Sequence, residues 1–218
     1  MEEGVRIAHV MTRTLVTMIA LLSLGGVGCS NKKAELGPAA VADASVDAGP
    51  ERGQIECLTV EAPYGSTKAA GVGGGLAFRG AKQLRSGTVA YDPSFTVTTQ
   101  AAEGANLNAV RDELMESFRK DYAAMLHEAS RTRGLLVSQL QPPRVTSSPV
   151  AGLPGHAWQI DSVASFNGER LPWRAYSMTT VFRDRVYVVT AAAALSNIGE
   201  MKPLADRYFS SIRFDACK

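Results

Sequence analysis

The sequence predicts an α+β domain in which an antiparallel β-sheet packs against one long and one short helix, preceded by a signal peptide and a disordered tether. Two patterns predict the domain. Apolar residues recur every three or four positions over residues 106–133, which predicts the long helix, and Asn167-Gly168 separates two alternating segments, which predicts a β-hairpin. We divide the chain into residues 1–28, 29–55 and 56–218.

The N-terminal segment has the pattern of an export signal. The run from Leu15 to Val27 is apolar and uncharged, and its about 13 residues fall short of the roughly 20 that a helix needs to span a bilayer. Arg13 precedes this run, and small residues ending at Gly28 follow it, as a signal peptidase site requires. We therefore interpret residues 1–28 as a signal peptide, for which Met11 is an alternative start with a more usual opening.

Gly28-Cys29 resembles the core of the bacterial lipoprotein signal, in which a small residue precedes an obligatory cysteine. The resemblance implies that the Cys29 thiol receives a diacylglycerol and that the acyl chains anchor the protein to membrane lipid. Ser30 follows where an aspartate would retain the product at the inner membrane, so the resemblance favours the outer membrane, with the domain in the periplasm. Plain secretion and a signal anchor are the alternatives.

Residues 29–55 form the predicted tether. They are rich in Ala, Gly, Pro, Ser and Asp, contain no aromatic residue and show no sustained periodicity. Such a segment buries too little apolar surface to offset its ordering entropy. As a flexible chain of this length it would span roughly 25 to 30 Å, enough to lift a domain off a bilayer.

Cys57 and Cys217 bracket the domain. In an oxidising envelope compartment, this even pair left after lipidation predicts a disulfide that joins the first strand to the last. Two reduced, partly buried thiols are the alternative.

The first half of the domain contains strands and the long helix. The segments Cys57 to Ala62 and Gly87 to Gln100 carry alternating β-branched and aromatic residues, which predicts strands. The glycines at 71–75 match neither a dinucleotide-binding nor a P-loop spacing, so they predict a flexible loop. Asn106 is a suitable N-cap for the helix that ends near Arg133.

The second half predicts a meander of antiparallel strands and a short closing helix. A strand at 135–141 is stopped by two prolines, and Arg183-Asp184 connects the hairpin to a further strand. The remaining elements are the hairpin strands Trp158 to Phe166 and Leu171 to Phe182, the strand Val186 to Ala194, the helix Glu200 to Ser210 and the extended segment Ile212 to Phe214.

Three of these segments, GLPGHAWQIDS, RDRVYVVTAAA and ADRYFSSIRF, together with the hairpin, resemble the PsbP-like fold. This fold occurs in an extrinsic photosystem subunit, in small bacterial lipoproteins of the DcrB type and in a nuclear-transport factor. The resemblance covers Glu103 to Phe214. It implies a non-enzymatic adaptor or accessory domain, and it carries over no binding residue.

Composition and motifs exclude several functional classes. The 23 basic and 21 acidic residues leave a net charge of +2, which is too small an excess to indicate a nucleic-acid partner. His127 lies in no H-E-x-x-H motif, and no G-x-S-x-G occurs. We therefore assign no catalytic residue, metal or cofactor. His156 is expected to be an exposed or hydrogen-bonded histidine in a Gly-Pro loop.

The leading hypothesis is a lipid-anchored interaction or accessory domain with an envelope protein as its partner. Its candidate binding surface combines aromatic and arginine residues of the type enriched at binding hot spots: His156, Trp158, Trp173, Arg174 and Tyr176. The two tryptophans could instead face each other as core. The alternatives are a binder of a small ligand or an envelope polymer and, less favoured, a hydrolase in which a buried His156 meets a carboxylate such as Asp161.

Overall fold

The computed structural model describes residues 50–71, 74–80, 83–87, 89–91, 93–120, 136–166 and 169–215. Within these ranges two α-helices pack on antiparallel sheets, which confirms the predicted α+β class. Residues 1–49, with the signal peptide, Cys29 and most of the tether, lie outside the described residues, as do His127 and Cys217. The predictions for these residues and for the domain boundaries stay predictions. The predicted disordered tether of residues 29–55 is wrong for its last four residues, Arg52–Ile55, because they form a strand that pairs with Leu58–Glu61.

The elements follow one another in a simple order. The first seven strands precede the long helix, and the others surround a helix near the end of the chain. They are β1 Arg52–Ile55, β2 Leu58–Glu61, β3 Thr67–Ala70, β4 Leu76–Arg79, β5 Leu84–Ser86, β6 Val89–Tyr91, β7 Ser94–Ala101, α1 Leu107–Lys120, β8 Leu136–Leu140, β9 Arg144–Ser147, β10 Gly155–Phe166, β11 Glu169–Phe182, β12 Arg185–Ala194, a 3₁₀ turn at Leu195–Asn197, α2 Ile198–Ser210 and β13 Arg213–Phe214.

The main sheet has eight strands in the order β3-β4-β7-β12-β11-β10-β8, with β9 also paired to β10. The predicted hairpin is confirmed by the pairing of β10 with β11, which runs without a register shift from Gly155↔Thr180 to Phe166↔Glu169. Its two-residue loop at 167–168 lies outside the described residues. The second turn places Arg183 and Asp184 at φ values of 48° and 55°, as the tight connection to β12 requires.

Each face of the main sheet carries one helix. Side chains alternate between the faces along every strand. On the first face, which we call the α1 face, Val110 and Leu114 of α1 belong to the same apolar cluster as Ile160 and Val188. On the opposite face, the α2 face, the helix α2 contributes Met201, Ala205 and Tyr208 to a cluster that includes Phe78 and Phe95.

The long helix follows its sequence pattern as far as the structure describes it. The Asn106 side chain accepts hydrogen bonds from the backbone N–H groups of Asn108, at 2.8 Å, and Ala109, at 3.4 Å, so it caps the helix as predicted. Glu116 and Lys120 form an ion pair of 2.8 Å across one turn. The predicted continuation to Arg133 lies outside the described residues.

The predicted strand from Gly87 to Gln100 is divided at a proline. The segment Gly87 to Gln100 does not run as one strand: β6 ends at Tyr91 and pairs only with β5, whereas β7 begins at Ser94 and pairs with β12 and β4. Pro93 lies between them, and proline has no N–H to donate to a ladder. The chain therefore leaves one small sheet and enters another.

The chain ends beside its first strands. The helix α2 begins at Ile198, two residues before its predicted start, and accommodates Pro203 in its second turn. The last strand, β13, pairs with β2 through Arg213↔Thr59 and Phe214↔Leu58, which completes a three-stranded sheet with β1. This pairing confirms the predicted extended return of the chain.

Candidate functional site

A groove lies on the α2 face between the helix α2 and the β10–β11 ribbon. Its cavity has a volume of about 210 Å³ and is open to solvent along one side. We call it the α2 groove. Its side chains come from both elements: Ala157, Tyr176 and Met178 from the ribbon, and Lys202, Ala205, Asp206 and Phe209 from the helix.

The local sequence explains why these side chains meet. In the register of β10 with β11, Ala157 faces Met178 and Gln159 faces Tyr176, so both pairs lie on the same face of the sheet. On the helix side, positions 202, 205, 206 and 209 are spaced by three and four residues and therefore share one side of α2. The small side chain of Ala157 leaves the space that the groove occupies.

An ion pair between Arg174 and Asp161 lies on the same face of the ribbon. The guanidinium donates two hydrogen bonds to the carboxylate, Nε to Oδ1 at 2.7 Å and Nη2 to Oδ2 at 2.8 Å. The two side chains are only 22% and 18% exposed. The hydrogen bonds from Arg174 lower the pKa of Asp161, and the same bonds raise the pKa of Arg174. The pair is therefore ionised and mutually satisfied at neutral pH.

A second ion pair forms the helical rim of the groove. The Lys202 ammonium donates to both carboxylate oxygens of Asp206, at 3.0 and 2.8 Å, and both side chains are 60% exposed. The hydrogen bond to Asp206 raises the pKa of Lys202. Because the cation and the anion lie side by side, the rim carries no net charge, but it still presents donors and an acceptor to solvent.

The structure separates the five residues of the predicted binding surface. His156, Trp158 and Trp173 are buried, with 6%, 2% and 3% of their surface exposed. Arg174 and Tyr176 are half-buried on the α2 face. The five residues therefore do not form one exposed surface, because neighbouring residues of a strand point to opposite faces. Of the five, Trp158 and Tyr176 border the α2 groove, although the Trp158 ring belongs to the cluster of the α1 face.

The two tryptophans are core residues, but they do not face each other. Trp158 is opposite Ser177 and Trp173 is opposite Ser162 in the β10–β11 register. Trp173 packs edge-on against Tyr91, with ring centroids 4.6 Å apart, whereas Trp158 lies in the cluster beneath α1. Each indole contributes to a different apolar cluster.

His156 differs from its predicted place in a loop. It lies in β10, and its ring meets that of Trp158 edge-on at 6.3 Å. Burial lowers the pKa of His156, and the positive charge of Arg111 lowers it further. Asp161 lies on the opposite face of the sheet, so the histidine–carboxylate pair considered for a hydrolase does not form.

The described residues bear on two other kinds of site. No group of three or more His, Cys, Asp or Glu side chains in the described ranges is placed to hold a metal ion. Among the same residues, no helix combines the length and the apolar character needed to cross a bilayer.

The residues of α2 are the part of the groove that sequence reasoning missed. The sequence contains a signal for them in its helical spacing. Met201, Ala205 and Tyr208 form the buried stripe of α2, and Lys202, Asp206 and Phe209 recur with the same spacing beside it. The buried stripe of such a helix packs on the sheet, while the ion pair and the aromatic residue beside the stripe remain accessible to a binding partner.

The sequence matches no known family model, and no curated protein matches it. Several solved structures are similar. LpqN, involved in cell envelope biogenesis of Mycobacterium tuberculosis, has 12% identity and a TM-score of 0.46, over 82% of this chain and 99% of that chain. The cyanobacterial PsbP of Synechocystis gives the same four values. The Ran-binding protein Mog1p of Saccharomyces cerevisiae has 10% identity and a TM-score of 0.45, over 76% of this chain and 96% of that chain.

Proposed function

We propose that the protein is a bacterial envelope lipoprotein whose domain is a non-enzymatic accessory module that binds another envelope protein. Acyl chains on Cys29 anchor it in the outer membrane, and the domain faces the periplasm. The apolar run from Leu15 to Val27, the Gly28-Cys29 pair that follows it and the predominantly small and polar residues between Cys29 and β1 support the anchor.

The size of the α2 groove carries the choice of a protein partner. Pockets for small molecules usually measure about 300–1,000 Å³ and enclose most of the ligand. The groove has about 210 Å³ and is open on one side, so it suits one or two side chains of a larger partner better than a whole small molecule. Its neutral, hydrogen-bonding rim at Lys202 and Asp206 is typical of the edge of a protein interface.

The arrangement of the chemically active side chains supports a non-enzymatic role. His156 and Asp161 lie on opposite faces of the sheet, so the histidine cannot exchange a proton with that carboxylate. Arg174 is engaged by both oxygens of Asp161 and would have to break this pair to bind an anionic substrate.

A ligand-binding lipoprotein is the second candidate, because aromatic residues line the groove. Tyr176 on β11 and Phe209 on α2 present apolar surface beside a polar rim, a combination that also suits one unit of an envelope polymer. The two candidates differ in the species retained: a protein partner would crosslink to the groove, whereas a polymer would not produce a discrete protein adduct.

Metabolic labelling tests the anchor. Growing cells are fed a clickable fatty acid, and labelling of the native protein is compared with that of a Cys29→Ala variant. We expect label in the native protein and none in the variant. Absence of label from both would refute the lipoprotein assignment and favour plain secretion or a signal anchor.

Site-specific photo-crosslinking tests the partner. A photoreactive amino acid is placed at Lys202, on the rim of the α2 groove, and at Arg119, an exposed position on α1, as a control. We expect a discrete adduct with one envelope protein from position 202 and none from position 119. Equal adducts from both positions would argue against the groove as the contact surface.

A further inference from the structure

We infer that the α2 groove binds a segment of a partner polypeptide by accepting one uncharged, apolar side chain, while the Lys202–Asp206 pair binds the backbone beside it. This inference rests on the proposed function and states the chemistry of the contact. Three properties of the groove indicate this occupant: its apolar floor, the charge of its rim and the size of its cavity.

The floor of the groove favours an apolar side chain. We use floor for the apolar part of its lining, to which Met178, Ala205, Tyr176 and Phe209 contribute. An apolar group that enters is removed from water, which favours binding in proportion to the apolar area buried. A charged group entering the same space would lose hydration against these apolar surfaces.

The ion pairs exclude a charged anchor for a second reason. Lys202 is paired with Asp206, and Arg174 with Asp161, at distances between 2.7 and 3.0 Å. A carboxylate beside Lys202 would also face the negative charge of Asp206, and an ammonium beside Asp206 would face the positive charge of Lys202, so either would gain little net interaction energy. The groove therefore selects for a neutral group.

The rim distinguishes a polypeptide from other apolar ligands. A peptide unit carries one N–H donor and one C=O acceptor next to each side chain. The ammonium of Lys202 has three N–H donors and the carboxylate of Asp206 has several acceptor sites, so both retain capacity in their exposed positions after pairing with each other. They can thus bond a carbonyl and an N–H of a backbone whose side chain occupies the floor.

The dimensions disfavour a lipid chain. An acyl chain has no donor or acceptor along its length, and its binding energy comes only from buried methylenes, so its site must be long and enclosed. The α2 groove is short, open and bordered by charged groups. A lipid is therefore an outcome of the test and not the proposed occupant.

The test uses the full-length protein in lipid nanodiscs and a displayed library of random twelve-residue peptides. Enriched peptides are synthesised, and their Kd values are measured by fluorescence anisotropy. We expect a shared uncharged apolar residue whose replacement by Asp weakens binding about tenfold. We also expect about tenfold weaker binding to an Ala157→Gln variant, because the longer side chain fills the groove.

An Ala109→Gln variant is the matched control, since Ala109 is exposed on α1 and should leave Kd unchanged. Equal thermal unfolding midpoints of the two variants establish that both are folded. The inference is overturned if no peptide is enriched, if Ala157→Gln leaves Kd unchanged, if the shared residue is charged, or if a monomeric short-chain phospholipid displaces the peptides. Any of these results with intact fatty-acid labelling at Cys29 and a crosslink at position 202 leaves the proposed function in place and refutes only the stated occupant.

Discussion

Asp161 and Arg174 are directly opposed in the β10–β11 register, and two hydrogen bonds of 2.7 and 2.8 Å join the carboxylate to the guanidinium. The register therefore brings together two residues that lie thirteen positions apart in the chain. This pair joins the two longest strands of the main sheet next to the α2 groove. Its geometry leads to the first prediction.

Replacing Asp161 with Asn should destabilise the domain by about 1–3 kcal/mol at pH 7, between the values for exposed and buried ion pairs, because the pair is mostly but not fully shielded. Asp206→Asn is the control, since its exposed pair with Lys202 should contribute no more than about 0.5 kcal/mol. Urea unfolding of both variants measures the difference. Equal effects would contradict the assigned shielding.

The same pair predicts a loss of stability in acid. The folded-state pKa of Asp161 lies below its ordinary value of 3.8, so the unfolded chain binds the proton first as the pH falls. The contribution is present above about pH 3.8 and is lost as the pH falls through the folded pKa. The difference in unfolding free energy between the native protein and Asp161→Asn should therefore be smaller at pH 2 than at pH 5. These two pH values lie about one to two units below and above 3.8.

His156 predicts a second pH dependence, in a different range. Its pKa is lowered from 6.5 in the folded state, so the neutral ring stays in the cluster of the α1 face while the unfolded chain becomes protonated. The contribution of the neutral His156 ring to the free energy of unfolding should be fully present above pH 6.5 and decrease as the pH falls below it. The groups that act on the ring from α1 are Arg111 and Asp112.

The measurement compares the native protein with His156→Phe from pH 7.5 to pH 5. Because the other histidines titrate in both proteins, the difference between their unfolding free energies isolates His156. We expect the variant to gain relative stability as the pH falls. A difference that stays constant over this range would mean that His156 is not desolvated in the folded protein.

Tyr91 connects the small β5–β6 sheet to the end of β12. Its hydroxyl donates to Asn197 Oδ1 at 2.8 Å and accepts from the backbone N–H of Ala194 at 3.1 Å, and burial raises the pKa of Tyr91 to about 12. Tyr91→Phe should cost about 1–3 kcal/mol, because it leaves the buried N–H of Ala194 without its acceptor.

Tyr187→Phe is the matched control for Tyr91→Phe. The Tyr187 hydroxyl is also buried, but it has no hydrogen-bond partner within the described residues, so its removal should be neutral or stabilising. Denaturant midpoints of the two variants give the comparison. If both substitutions cost the same free energy, the hydrogen bonds of Tyr91 contribute nothing specific.

The disulfide between Cys57 and Cys217 stays a prediction. The fold supports it because the end of the described chain lies beside Cys57. Cys57 is buried, and its carbonyl accepts a hydrogen bond of 2.9 Å from the N–H of Asp215, only two residues before Cys217. Alkylation of the unreduced, denatured protein followed by mass spectrometry should leave both cysteines unmodified. Reduction should lower stability by up to about 5 kcal/mol, and two alkylated thiols before reduction would disprove the bridge.

The sequence pattern predicted the elements whose formation depends on residues close together in the chain. The start of α1 at Asn106, the long hairpin and the turn at Arg183-Asp184 all follow from spacing or turn chemistry within a few residues. The strands β1, β3, β4, β5 and β9 were missed. Each has only three or four residues, too few to show a period, and each depends on pairing with a partner strand for its stability.

The sequence by itself therefore determined the fold class and the main antiparallel meander, and through the Gly28-Cys29 pattern it raised the prediction of a lipid anchor. Only the tertiary structure decided that His156 and Trp158 lie on the α1 face of β10, while Tyr176 of β11 and Phe209 of α2 both line the α2 groove. The physical reason is that alternation along a strand indicates which residues share a face but not which helix covers that face. That choice is made by the tertiary packing of α2 on β12, β11 and β2.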